Sequence, residues 1–207
     1  NSVAVADELL PGIGYISMRQ TRFSEDTSAE MEVALERLFA SDITGLIIDL
    51  RGNPGGLLSQ ATEVADLFLP RGAPIVSVRE RAGRNEETRV SQRRPPAERI
   101  PLVVLIDGGS ASAAEIVAGA MQDNDRGLVV GTTSFGKGSV QTIFDLREDN
   151  KAALKLTTAL YYTPSGRSIH RESLATTPDP GSQVLFGEVQ LPAGQLLSLL
   201  LNAADTE

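Results

Sequence analysis

The chain has 207 residues with 19 Lys and Arg against 27 Asp and Glu, a net charge of −8 that weighs against a general nucleic-acid or anionic-membrane binder. It has no cysteine and one histidine, His170, which excludes disulfides, thiolate metal sites, cysteine nucleophiles and any multi-histidine metal site. Apolar residues make up 41% and charged residues 22%, ordinary for a globular chain long enough to bury a core. The sequence opens NSVAVADELL, without the basic start and apolar run of a signal peptide, and its longest apolar stretch is far shorter than the ~20 residues of a membrane span.

The alternation of patterns predicts an α/β fold. GIGYISM (12–18) reads as a short strand. Thr27-Ser-Ala-Glu30 resembles a capping box, and Met31, Ala34, Leu35, Leu38 and Phe39 follow at helical spacing, so a helix is expected over 28–40. LIIDL (46–50) is the continuous apolar run of a buried strand. A second helix is expected over 57–69, with Ala61, Val64, Ala65 and Phe68 on one face and Pro70 and Gly72 ending it. PIVSVRE (74–80) is a strand, and the charged, Pro-containing stretch after it reads as a mobile loop or an extended hairpin. PLVVLID (101–107) is a buried strand, 112–121 a helix rich in small residues, and GLVVG (127–131) a strand. Residues 139–146 and 152–162 read as two strands joined at Asp149-Asn150, followed by loop through Gly187. Pro192 to Leu201 reads as a leucine-rich closing helix.

Three loops carry the chemistry. Arg51-Gly-Asn-Pro-Gly-Gly56 lies between a buried strand and a helix, where paired glycines bare backbone N–H groups that can hold an oxyanion; a tight strand-to-helix turn explains it equally. Gly108-Gly-Ser-Ala-Ser-Ala-Ala-Glu115 also opens a helix, whose N-terminal field stabilises an alkoxide at a serine there, although Ser112-x-x-Glu115 is itself a capping box. The third loop, Gly131 to Gln141, contains a G-x-x-x-x-G-K string. A phosphate loop needs Ser or Thr after the lysine and then a helix; here Gly138 and the alternating SVQTIFDL follow, so that signal is weak. With so little histidine, a serine hydrolase needs another base. Lysine serves once burial lowers its pKa from ~10.4 toward ~7–8. The small and apolar residues around Lys137 suit such a buried lysine, and Gln141 can accept a hydrogen bond from its amine.

The strings GIGYI, GLIIDLRGNPGGLL, VADLFLP, GSASAAEIVAGAMQDN, SFGKGSVQ and KLTTALYYTPSGRSI, in that order over most of residues 10–170, resemble the tail-specific or C-terminal processing serine proteases. That resemblance implies Ser112 as nucleophile (Ser110 being the neighbour easily mistaken for it), Lys137 as general base, and Gln141 as the residue orienting the lysine. It further implies the N–H groups of Gly55 and Ala113 as oxyanion hole, and a core similar to the Clp protease and crotonase enzymes, a spiral of β-β-α units. It implies a serine endopeptidase cleaving proteins near their C-termini through a Ser-Lys acyl-enzyme, without metal or other cofactor. Unfolded or tail-exposed proteins are the expected substrates, and a periplasmic or otherwise extracytoplasmic setting the expected location. A homo-oligomer and an activator protein are admitted as partners; nucleic acid and membrane insertion are not.

The expected organisation is a protease core over 1–190, without the PDZ domain that members of the family usually carry, and a leucine-rich helix over 191–207 that docks on the core or contacts another subunit. Ala114 stands where a third serine is common in the family. His170 is expected to be a solvated loop residue rather than a catalytic one. Two rival readings are a non-catalytic interaction module on the same fold and, more remotely, a P-loop nucleotide-binding protein.

Overall fold

A computed structural model describes residues 1–80, 86–93, 95, 97, 100–145 and 153–171. The predicted closing helix over 192–201, the 191–207 segment and the Asp149-Asn150 turn lie outside the described residues.

Among the described residues there are two sheets and three helices. The first sheet has the order β1 (Val5–Leu10), β2 (Ile13–Ser17), β3 (Gly45–Asp49), β6 (Leu102–Ile106) and β7 (Leu128–Gly131). β1 pairs antiparallel with β2, and all other pairs in it are parallel. Helices α1 (Thr27–Phe39) and α3 (Ala113–Asp123) make the crossovers from β2 to β3 and from β6 to β7. The longer route from β3 to β6 runs through α2 (Leu58–Asp66) and the strands β4 (Pro74–Glu80) and β5 (Glu86–Val90). The second sheet is antiparallel, in the order β5, β4, β9 (Ala153–Tyr162), β8 (Ser139–Asp145). The fold is therefore α/β with mixed sheets, and the charged stretch after β4 returns as a hairpin strand.

The apolar runs explain the core. Every residue of β3 is buried, and Leu46, Ile48, Leu102, Val104 and Ile106 pack with Leu35, Leu38, Val64, Phe68, Ile116 and Val117 from the three helices. α3 is rich in small residues, with Ala113, Ala114, Ala118, Gly119 and Ala120 all buried, which lets its backbone approach its neighbours closely. The C-terminal ends of the parallel strands β3, β6 and β7 each lead into one of the three loops. Open parallel sheets bind ligands at that edge.

One local expectation is corrected and one element is added. The capping box at α1 does not form: the N-cap is Asp26, and the Thr27 hydroxyl reaches back to Ser24 O at 3.0 Å. Glu30 instead accepts the N–H groups of Ser2 and Val3 at 2.6 and 2.9 Å, which ties the start of the chain to α1. The strand β1 was not separable in the sequence from its hairpin partner β2, because five of its six residues are exposed and show no alternation.

Candidate active site

The loop after β3 is fixed by polar side chains turned inward. Asp49 is fully buried and holds Arg51 through both carboxylate oxygens, with Tyr15 donating to it at 2.8 Å. Burial pushes the Tyr15 hydroxyl above its ordinary pKa, and the hydrogen bond to Asp49 adds to the shift. Asn53 is also fully buried. Its amide donates to Met18 O at 2.8 Å, its side-chain oxygen accepts the Gly55 N–H at 2.9 Å, and its carbonyl accepts the N–H of Ala111 at 2.9 Å. Asp107 accepts the N–H groups of Gly52 and Gly109, each at 2.8 Å. Desolvation pushes the Asp107 carboxyl up, yet those N–H groups and Ser110 together hold it below the usual carboxylate value. The first and second loops are thus one hydrogen-bonded unit.

Ser110 and Ser112 are easily told apart. Ser110 is fully buried and its hydroxyl donates to Leu50 O at 2.8 Å, out of reach of a substrate. Ser112 is partly exposed, at the N-cap of α3, with φ 54. A serine held at positive φ is strained by about 1–3 kcal/mol, and such strain clusters at functional sites. Gly55 lies directly against it, with φ 88: a methyl group there would sit 2.7 Å from Ser112 Cβ and 2.8 Å from Ala113 N. Only glycine fits at that contact.

Glu115 joins the second loop to the third. Its side chain is buried in the first turn of α3 and accepts four hydrogen bonds. Oε1 takes the Ser134 hydroxyl at 2.7 Å and the Gly136 N–H at 2.6 Å. Oε2 takes the N–H of Ser112 at 2.7 Å and that of Lys137 at 2.9 Å. One oxygen therefore holds the backbones of both candidate dyad residues, whose nitrogens lie within two hydrogen-bond lengths of each other. Phe135 N–H adds a bond to Ser110 O at 2.9 Å. The sequence revealed Glu115 as a helix cap, which it is. Its second role was hidden because its other donors lie about twenty residues downstream.

The lysine loop runs straight into β8, not into a helix, so a phosphate loop is ruled out. Its far side is clamped by residues 169–171. Arg171 N–H donates to Gly136 O at 3.0 Å, and Gly138 is so close to the strap that a methyl group there would lie 2.2 Å from His170 N. His170 is partly buried in this strap, with its Nδ1 buried and unpartnered, rather than solvated. The expectation of a buried Lys137 is also corrected. Its backbone is drawn in by Glu115 while its side chain is exposed, because glycines on either side offer nothing to cover it. Gln141 is exposed on β8, beside an irregularity of the β8–β9 ladder. Ala113 is buried at the start of α3, and its N–H points from the same helix turn as Ser112.

A partly exposed, strained serine at a helix N-terminus and a lysine whose backbone is held by the same carboxylate thus meet at the C-terminal edge of the parallel sheet on an α/β scaffold. Residues 12–180 match the profile of peptidase family S41. The chain is 48% identical over 172 residues to the carboxy-terminal-processing protease of Bartonella bacilliformis, covering 81% of this chain and 38% of that one. It is 38% identical over 195 residues to the carboxyl-terminal-processing protease of Synechocystis, covering 92% and 44%. Among solved structures it is similar to the photosystem II D1 C-terminal processing protease, with a TM-score of 0.70 and 34% identity over 82% of this chain and 44% of that one. The chain belongs to peptidase family S41. It spans less than half the length of these relatives.

Proposed function

We propose that the chain is the catalytic core of a serine endopeptidase that processes proteins near their C-termini. The observation that carries the reading is the shared hold of Glu115 Oε2 on the backbones of Ser112 and Lys137. Neutral Lys137 takes the Ser112 proton as the hydroxyl oxygen attacks the scissile carbonyl. The oxyanion forms against the N–H groups of Ala113 and Gly55, sharing the latter with Asn53 Oδ1. Lys137 then hands its proton to the leaving amine, and water, deprotonated by Lys137, hydrolyses the acyl-enzyme. Gln141 accepts a hydrogen bond from the amine and aims it. Because Lys137 is exposed, a bound polypeptide or further chain can cover it as the reaction proceeds.

The succession β1-β2-α1 at the start of the chain supports the spiral of β-β-α units that the resemblance implies. The substrates on this reading are unfolded or tail-exposed proteins, the setting is extracytoplasmic, and a homo-oligomer or activator is compatible with the site. Among the described residues no helix is long and apolar enough to cross a membrane.

The test is digestion of an unfolded protein by the chain beside its Ser112→Ala variant, read by mass spectrometry. Products from the parent alone establish the nucleophile and show where it cuts. Equal products from both overturn the assignment. A non-catalytic module predicts no products and no labelling of Ser112 by a fluorophosphonate.

A further inference from the structure

Two large apolar side chains stand out on the loops around Ser112. Phe135 is 59% exposed and Leu57 is 43% exposed. A single exposed Leu or Phe on a protein surface needs no explanation. These two differ because the backbone under each is held. Phe135 N–H is bonded to Ser110 O, and both its neighbours, Ser134 and Gly136, donate to Glu115. Leu57 N–H is bonded to Phe23 O at 3.0 Å, and the preceding Gly56 bridges the same phenylalanine. Neither ring nor isobutyl group is exposed on a loose tip.

Their positions flank the reacting groups. Leu57 is two residues past Gly55, which touches Ser112, and Phe135 is two residues before Lys137. Two residues of chain span at most about 7 Å. A methyl group on Gly109 would lie 2.9 Å from Gly52 Cα and one on Gly108 3.8 Å from Thr133 O, so these two exposed glycines lie between the loops that carry Leu57 and Phe135 and add no side chain there.

Resting on the Ser112–Lys137 reading, we propose that Leu57 and Phe135 are specificity-determining residues that grip an apolar substrate side chain beside the scissile bond. The substrate class is a polypeptide with Leu, Val, Phe or a similar residue flanking the cut. A charged residue at that place loses hydration against the apolar pair and gains no partner there. Because even one methylene in an apolar subsite is worth about tenfold or more in kcat/KM, removal of a whole ring should shift the preference by at least about tenfold.

The experiment digests an unbiased peptide library with the parent, Phe135→Ala, Leu57→Ala and Phe135→Leu, and counts the residues flanking each cleaved bond. Thermal unfolding is recorded for each variant. The parent should enrich apolar residues at one flanking position. Phe135→Ala should reduce that enrichment at least about tenfold, Leu57→Ala should reduce it too, and Phe135→Leu should keep it. Ser112-dependent cleavage with no apolar bias, or a bias unchanged in both alanine variants, overturns the proposal and leaves the dyad standing. Absence of both Ser112 labelling and Ser112-dependent cleavage in the parent overturns the dyad and this proposal together.

Discussion

Replacing Glu115 by glutamine should unfasten the Ser112 loop from the Lys137 loop while keeping the side chain's volume. The carboxylate accepts at both oxygens, two donors on each. A glutamine keeps one oxygen and presents an NH2 group at the other place. Turned one way, that NH2 meets the N–H groups of Ser112 and Lys137; turned the other way, it meets the N–H of Gly136, while the Ser134 hydroxyl can rotate to accept. The second arrangement is the milder, and it still orphans one buried N–H at about 1–3 kcal/mol. Hydrogen bonds to an ionised acceptor are about twice as strong as those to a neutral one, so the two contacts kept by the remaining oxygen weaken as well. The total comes to about 3–5 kcal/mol. At about 2–4 °C per kcal/mol for a chain of this size, the melting temperature should fall by roughly 6–20 °C. Calorimetry gives the melting temperature, and the rate of Ser112 labelling by a fluorophosphonate gives the state of the site. A variant melting within about 2 °C of the parent and labelling at the parent's rate would refute the reasoning, because Glu115 would then hold neither loop.

Ser112→Ala and Lys137→Ala should each reduce cleavage at least about a thousandfold. Lys137→Ala should leave the melting temperature nearly unchanged because that side chain is exposed, whereas Ser112→Ala also removes the capping hydroxyl of α3 and should cost about 0.5–2 kcal/mol; a double variant no slower than either single one would show that the two act as a unit. Gly55→Ala should abolish cleavage and destabilise the fold, because the new methyl group would lie 2.5 Å from Ala111 O at a residue with φ 88; a soluble, active variant in the mass-spectrometric assay would contradict the close contact. Asp107→Asn tests acid stability. The folded carboxyl is held below its unfolded value of about 3.9, so its contribution is present above that pH and is lost as pH falls through the lower folded value. The variant should be weaker than the parent at pH 7 and converge on it below about pH 4 in denaturant titrations; a difference independent of pH would rule out ionisation as the cause.

Much of the scaffold was legible because its strands are extreme. LIIDL and LVVLI are nearly all apolar, and they occupy the centre of the parallel sheet with both faces covered. The three loops were legible from their glycines, which sit where backbone meets backbone: Gly55 against Ser112, and Gly138 against His170. The rest depended on partners far along the chain. Lys137 was expected to be buried because its neighbours are small and apolar, yet small neighbours cannot cover a long side chain. Thr27 and Glu30 match a local capping pattern, but the N–H groups of Ser2 and Val3 win Glu30 because the chain start lies beside α1. Glu115 shows the same limit from the other side. A cap is a local event and can be read; a bond to Ser134 cannot.

On the proposed reading, the clamp on the lysine loop has a consequence for the order in which the chain becomes dangerous to other proteins. Asn53, Asp107, Glu115, Gly136 and Arg171 meet through hydrogen bonds that span more than a hundred residues of sequence. A polypeptide leaving the ribosome has Ser112 long before it has Gly136, and Gly136 long before Arg171. Domains fold as units, and contacts of long sequence separation form late. The nascent chain can therefore carry the candidate nucleophile Ser112 without an assembled site, and it gains one only when the strap over 169–171 has emerged and packed.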